Sequence, residues 1–462
     1  MEENLPKKQF NLMEKITSLC KRRGFIFQTS EIYGGVEALW DYGPLGALLK
    51  NNIKQEWLKS FVQARDDIAL IDTPVIMHPK TWEASGHLKN FTDPLIECKH
   101  CHARFRADHM KEGNFVGQGR AKEKNQCVQC GEKEFTETKQ FNLMFKTFLG
   151  PIEDESHIAY LRPETAQAMF EDFAQVLETM RFKIPFGIAQ IGHSFRNEIT
   201  TGNFIFRSRE FEQAEIEYFV KPGEDERAFD EWVESWEKFI TGLGVKKENL
   251  RRYEHKKENL SHYSKRTIDI EYKFPFGWSE LTGIANRTNY DLSQHSKFSG
   301  KALVYFDEEK KEKYTPYVIE PSLGIDRLVL AILIDAYEEI KGGRTETTKS
   351  TKGEEVVLKI CKKISPIKVA ILPLVKNKPD LVNKAKEVYK LIKNKFYCQY
   401  DEVGSIGRRY RRQDEIGTPY CVTVDFETLE KEDVTVRDRD TMKQDRIKIN
   451  NLIEFLSGKL DL

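Results

Sequence analysis

The chain has no surplus of charge. Its 73 basic and 73 acidic side chains cancel, which excludes a general field for polyanions and leaves only local clusters to meet one. No apolar run approaches the roughly 20 residues of a membrane span, and Met1-Glu2-Glu3-Asn4 does not begin the basic, apolar, small-residue succession of a secretory leader. A cytoplasmic soluble protein with no membrane partner is the expectation. Cysteine is scarce, eight in 462 residues, and a chain of this length can build two or three domains without disulfides.

What cysteine there is falls into a pattern. Cys20, Cys361, Cys398 and Cys421 stand alone, whereas Cys98-x-x-Cys101 and Cys127-x-x-Cys130 form two knuckles. Two thiolates at that spacing can face one ion from a tight turn, and two turns complete a closed tetrahedral zinc shell. His100, His102 or His109 could replace a sulfur, and redox dithiols or unligated cysteines are the other readings. A full sulfur shell has no open position, so such a zinc would hold a loop rather than catalyse.

Charge also collects where a strand would ordinarily be apolar. Phe195-Arg196-Asn197-Glu198 is followed, after a polar gap, by Phe206-Arg207-Ser208-Arg209-Glu210-Phe211-Glu212-Gln213-Ala214-Glu215. A strand over 207–219 would put Arg207, Arg209, Phe211, Gln213, Glu215 and Glu217 on one face, and Ser208, Glu210, Glu212, Ala214, Ile216 and Tyr218 on the other. Like charges on one strand face cost stability unless a ligand or counter-ion neutralises them. The pattern therefore points to a charged ligand, with a solvated edge hairpin as the alternative.

Periodicity predicts helices over 12–22, over 45–61 after the turn Trp40-Asp41-Tyr42-Gly43-Pro44-Leu45-Gly46, and after Leu161-Arg162-Pro163-Glu164-Thr165, where Ala166, Met169, Phe170, Phe173, Leu177 and Met180 share a face. Strands are predicted at 68–76, with Pro74 at an edge or bulge, and at 187–195, 204–219, 267–272 and 279–284. Runs of strands with flanking helices favour an α+β antiparallel sheet over regular βαβ alternation. The cysteine segment reads as an insertion over about 90–140, and a polar, helix-rich segment over about 222–262. Residues 341–355 hold no apolar side chain and read as a mobile linker. Beyond it, strands at 367–375, 420–425 and 433–437 and helices at 379–396 and 446–456 predict a small α/β domain. Its Arg408-Arg409-Tyr410-Arg411-Arg412-Gln413 and Arg437-Asp438-Arg439 suit phosphates and unstacked bases, or a solvated charged face.

One further stretch, Glu320-Pro321-Ser322-Leu323-Gly324-Ile325-Asp326-Arg327 before an apolar helix, adds another cation of the kind a triphosphate requires. Together these strings resemble the three motifs of class II aminoacyl-tRNA synthetases, and most closely the dimeric glycyl-tRNA synthetase type. Motif 1 resembles the helix and strand ending at Pro74, motif 2 resembles 195–219, and motif 3 resembles Gly324 to Arg327. Further similar strings are Ile32-Tyr33-Gly34-Gly35, Arg162-Pro163-Glu164-Thr165, Gly283-Ile284-Ala285-Asn286-Arg287 and Thr435-Val436-Arg437-Asp438-Arg439-Asp440. Ala214 stands where that family more often has Met, and the knuckles occur in only some of its members.

The resemblance implies a catalytic domain over 1–355 and an anticodon-binding domain over 365–462. It implies an enzyme that activates glycine with ATP to glycyl-adenylate and transfers the glycyl group to tRNA(Gly). Arg196 would hold the α-phosphate and the carboxylate, and Arg327 the far phosphates. Glu198 and the backbone at Phe206 would read adenine and Phe211 would stack on it, with Asn197, Arg207 and Arg209 supporting, and Leu281, Gly324 and Asp326 completing the ATP site. Glu280 matches the Mg²⁺ position. Glu164, Glu215 and Glu320 with Ser322 would surround the glycine ammonium, beside Phe211, Glu212 and Gln213, with Arg106 a further contact and Arg287 a weaker one. Arg437 and Arg439 would touch tRNA, and motif 1 would build a homodimer. A non-catalytic nucleic-acid-binding relative would have lost Arg196, Glu198, Phe211 and Arg327, all present here.

Overall fold

The computed structural model describes residues 7–112, 125–261, 263–341 and 355–460. Its centre is a seven-stranded sheet of β1 (Ile68–Leu70), β2 (Phe186–Phe195), β3 (Glu210–Val220), β4 (Leu250–Glu254), β5 (Arg266–Phe274), β6 (Gly277–Thr288) and β7 (Tyr317–Gly324). The spatial order is β4-β5-β6-β7-β3-β2-β1. All neighbours are antiparallel except β1, which lies parallel to β2 at one edge. This is the α+β antiparallel architecture expected, with Pro74 falling between β1 and the short strand Ile76–Met77, where no ladder bond is needed from it.

Helices α1 (Pro44–Leu58), α2 (Asp225–Gly242) and α3 (Ile325–Ala336) cover one face of the sheet. Pro44 at the first helical turn has its φ preset and no N–H to leave unpaired. Gly46 is demanded by contact: a Cβ there would lie 1.9 Å from the Phe25 carbonyl oxygen. Leu49, Ile53 and Trp57 of α1 are fully buried, and Trp57 meets Trp236 of α2 edge-on at 6.3 Å between ring centroids. A second apolar layer, Met169, Phe170, Phe173, Phe186 and Phe219, closes the opposite face.

Several expectations are corrected. The segment 204–209 is not strand: Asn203 and Phe204 take left-handed φ values of 57° and 62°, and Phe206 is held by Phe274 and Phe276, each 4.9 Å away. The helix after Thr165 breaks at Asp172 into Ala166–Glu171 and Phe173–Met180, which turns Met180 out to solvent. Residues 222–262 contain the edge strand β4, whose charged, largely exposed residues hid its alternation. Nearly all of the linker, 342–354, lies outside the described residues. After it, Glu355–Leu358 pairs with Tyr337–Ile340, so the chain returns to the catalytic body before entering the last domain.

That last domain has its own core and a five-stranded sheet in the order Cys398–Tyr400, Val369–Pro373, Tyr420–Val424, Asp433–Asp438, Gln444–Lys448, of which the first three are parallel. The arginine-rich stretch forms helix Ile406–Glu415. The helix expected over 446–456 begins only at Leu452. Arg446 belongs to the final strand, where it binds Asp433 and Asp425. Replacing Trp57 by Ala should lower the unfolding free energy of the catalytic body by about 3–5 kcal/mol in denaturant titrations; a loss under about 1 kcal/mol would show that the α1–α2 contact does not hold the sheet's cover.

Candidate active site

The cleft lies over β3, β5, β6 and β7, with an empty volume of about 1040 Å³. Alternation along β3 turns Phe211, Gln213 and Glu215 into it. The same alternation corrects Glu212, which is aimed at the other face, where it binds Lys50 at 3.0 Å and Lys54 at 2.9 Å. Asp326, at the start of α3, joins the two sides: it accepts from the Glu212 backbone N–H at 2.7 Å and from Lys50 at 2.9 Å, and Tyr42 donates to it as well.

One end of the cleft is cationic. The Arg196 guanidinium sits 5.3 Å from the Phe211 ring and 5.4 Å from Phe91, and its Nε donates to the Pro163 carbonyl at 3.1 Å. Arg327 stacks 4.6 Å from Phe206 and binds the Glu280 carboxylate at 3.0 Å. Arg207 lines the wall with one buried guanidinium nitrogen that has no hydrogen-bond partner among the described residues. Arg327 holds the Glu280 carboxyl below its usual range against burial, helped by Arg196 and Arg207. Glu198, Phe206, Leu281 and Gly324 also line this end. Asn197 and Arg209 do not. The Asn197 backbone donates to Leu143 O at 2.8 Å, and Arg209 donates to Glu37 O at 2.9 Å, so both fix the loop rather than face the cleft.

The other end is anionic and buried. Glu215 accepts from the Thr165 backbone N–H at 3.0 Å, from Ser322 Oγ at 2.6 Å and from Gln213 at 2.8 Å. Burial, then Glu164, raises its carboxyl, while the Ser322 and Thr165 bonds oppose the shift. Burial would raise Glu164 too, but His87 at 3.3 Å, then Arg287 and Gln167, holds it well below the carboxylate range. Glu320 accepts from Arg287, whose Nε and Nη2 each reach Asp291 at 2.8 Å. Burial pushes Glu320 up to about 8; the pull of Arg287 is countered by Glu215 and Glu164. Arg106 stays out of the wall, paired with Asp93 at 2.8 Å and Asp108 at 2.7 Å.

The cleft also uses Tyr263, Thr267 and Asp269, which sequence reasoning missed. A signal existed: along β5, Thr267, Asp269 and Glu271 alternate with the buried Ile268, Ile270 and Tyr272, so the polar set had to face something other than the core.

Comparison with known proteins matches this arrangement at full length. The family described as tRNA synthetase class II core domain (G, H, P, S and T) matches residues 145–336, and the one described as Anticodon binding domain matches 368–459. Proteins named glycine–tRNA ligase from Streptomyces coelicolor, Thermobifida fusca and Clostridium acetobutylicum are 54%, 51% and 52% identical to this chain, over 97% of it and 98% of each of them. The chain belongs to the glycine–tRNA ligase family. Synthetases of class II use ATP with Mg²⁺, and Glu280, a carboxylate among phosphate-seeking arginines, fits that cation.

Two further groups carried expected roles, the knuckle cysteines from their spacing and Arg437 with Arg439 from the resemblance to this synthetase family. The knuckle cysteines do converge: their sulfurs all lie within 4.8 Å of one another, with Cys98–Cys130 at 3.6 Å and Cys101–Cys127 at 3.5 Å. Tetrahedral thiolates about 2.3 Å from zinc stand at nearly this separation, so the cluster could hold that ion. His102 is instead engaged by Glu97 at 3.0 Å. Arg437 and Arg439, expected to meet tRNA, are 3% and 2% exposed. Arg437 grips Asp414 with bonds of 3.0 and 2.9 Å, and Arg439 donates to the Gly417 and Ile360 carbonyls at 2.7 and 2.9 Å. They are internal struts, because β-alternation turned Arg437 toward helix Ile406–Glu415. Arg437→Ala should therefore cost about 3–5 kcal/mol in urea unfolding of this domain by stranding Asp414; unchanged stability with weakened tRNA binding would restore the original reading.

Proposed function

We propose that the protein is a glycine–tRNA ligase working by two steps in the one cleft: glycine and ATP give glycyl-adenylate and pyrophosphate, and the glycyl group then passes to the terminal adenosine of tRNA(Gly). The observation that carries this reading is the division of the cleft into an arginine end and a buried carboxylate end, side by side on β3. A triphosphate and a zwitterion without a side chain call for those two environments. The glycine carboxylate attacks the α-phosphorus in line, and the protein forms no covalent bond of its own. Arg196, between the two ends, neutralises the attacking carboxylate and the α-phosphate. Arg327 and Arg207 hold the far phosphates, Phe211 stacks on adenine, and Glu198 reads its edge. Mg²⁺ on Glu280 would add charge neutralisation at the phosphates. Glu164, Glu215 and Glu320 surround the ammonium, and Ser322 fixes Glu215. Larger amino acids are refused because the floor is filled by these groups and their supports.

The tRNA surface of the last domain is better sought at the carboxyl ends of its three parallel strands, the edge where open α/β sheets bind ligands. Lys376, Lys378 and Arg408 are exposed there, beside Val403 at 69% and Phe426 at 51% exposure. Cations next to an exposed ring suit phosphates and an unstacked base. The half-exposed Leu70 on edge strand β1 and Ile76 just beyond it support a two-fold dimer through motif 1, and a cytoplasmic location follows from the substrates.

Glycine-dependent ATP–pyrophosphate exchange should be robust and should fall at least about 100-fold in Arg196→Ala. Exchange with proline, threonine or serine and none with glycine would overturn the specificity. Replacing Lys376 and Lys378 by Ala should raise KM for tRNA(Gly) and flatten its salt dependence while pyrophosphate exchange stays intact. Metal analysis of the purified protein should find about one zinc per chain on the four thiolates, and its absence would leave them a reduced cluster.

A further inference from the structure

Glu217 lies one step beyond Glu215 on the cleft-facing side of β3. It is fully buried, and neither of its carboxyl oxygens has a hydrogen-bond partner among the described residues. The register that sets Glu215 opposite Ser322 and Tyr218 opposite Ile319 sets Glu217 opposite Glu320. Directly opposed side chains on neighbouring strands stand roughly 5 Å apart at Cβ, so two carboxylates face each other inside the protein.

The surroundings do not neutralise both. Glu215 comes from the same strand, Glu320 from β7, Arg287 from β6, and Asp291 and His295 from helix Tyr290–Ser299. Glu164 precedes helix Ala166–Glu171, Gln167 lies in its first turn and Glu171 at its end, and β2 opposes Glu217 with the apolar Ile188. Arg287 spends its bonds on Asp291 and Glu320. His295 is held neutral by burial and contacts Gln167 at 2.9 Å. Glu164, Glu217, Glu320 and Asp291 thus share one guanidinium in a water-poor space, with His87 helping only Glu164.

We propose that Glu217 is a positioning residue of the amino-acid pocket: a permanently neutral carboxyl behind Glu320 that lets Glu320 carry a proton in the empty cleft and release it when an amino-acid ammonium arrives. Burial and then Glu320 hold the Glu217 carboxyl far above the usual range, in keeping with its neutral form. Protonated Glu320 still accepts from Arg287 through its carbonyl oxygen. On binding, the Glu320 O–H bond breaks, the proton goes to solvent, and the ammonium brings in the positive charge that left, so the buried charge is unchanged. The inference rests on reading glycine as the substrate.

Calorimetric titration of the full-length protein with glycine, in two buffers of different ionisation enthalpy, counts the protons. At pH 7 about one should be released, and at pH 8.5, above the Glu320 value, less than about half. Glu217→Gln, neutral and nearly isosteric, should keep the glycine KM within about threefold and the proton count unchanged. Glu217→Leu should raise the glycine KM about tenfold while the ATP KM holds. No release at pH 7, or a tenfold rise in glycine KM in Glu217→Gln, would overturn the proposal while leaving glycine-dependent pyrophosphate exchange intact. Loss of that exchange in the unmodified protein would instead defeat the functional reading beneath it.

Discussion

The Arg287 guanidinium, stacked 3.9 Å from the Tyr263 ring and 5.4 Å from Phe170, is the cation on which the rest of the floor depends. An ion buried in protein is tolerated only when partners and hydrogen bonds replace its water. Arg287 has Asp291 and Glu320 as partners, and the flat rings supply contacts for its faces. With that one positive charge in place, carboxylates can be gathered where a sheet would otherwise have to be apolar. Remove it, and Glu320 and Asp291 become unpaired buried acids beside Glu217. The anionic pocket and the helix Tyr290–Ser299 are therefore one unit, tied through Arg287 and again through Gln167, which reaches Glu164, Asp291 and His295.

The cationic end is built differently. Arg196 and Arg327 lie on aromatic faces at the cleft wall, partly open to solvent, with Arg327 also paired to Glu280. The brace lies behind the strand, where Asp326 accepts from Lys50 of α1, from Tyr42 and from the backbone of Glu212. Motif 3 is thereby fastened to motif 2 and to the first helix through one carboxylate. Because Glu212 and Asp326 share Lys50 and Glu212 also binds Lys54, the two acids and two bases on the rear face of β3 cancel among themselves, and the charges on the front are left for ligand.

This division accounts for what could be read in the chain and what could not. Phe211, Gln213 and Glu215 were legible as one face because strand alternation says which side chains share it, whereas Arg196, Glu198 and Glu320 were picked out by the resemblance to class II synthetases. Glu212 was misassigned because it sits inside a recognisable string whose alternate residues serve the opposite surface. Arg437 and Arg439 failed for a related reason: basic residues in a nucleic-acid-binding domain look like contacts, yet a guanidinium with five donors is also the best internal strut for carbonyls and a carboxylate. The edge strand β4 and the Phe204–Phe206 turn were hidden because their conformation is set by distant partners, the neighbouring strand in one case and Phe274 and Phe276 in the other. Tyr263 and Asp269 reach the cleft only through sheet order, which a single strand cannot reveal.

Glycine makes the sheet, rather than loops, the natural carrier of specificity. A ligand without a side chain offers charge alone, and charge is recognised strongly only where water is scarce. Scarce water demands a second layer that satisfies the carboxylates lining the cleft, here Thr165 and Ser322 on Glu215, Gln167 on Glu164 and Arg287 on Glu320. Such a layer must hold its donors to within a fraction of an ångström, because an unsatisfied buried acid gives its charge up to a proton. Three adjacent strands, β3, β7 and β6, supply that rigidity: their pairing sets Glu215 opposite Ser322 and Glu320 opposite Ala285, and an irregularity between Asn286 and Thr288 falls at Arg287, which reaches Glu320.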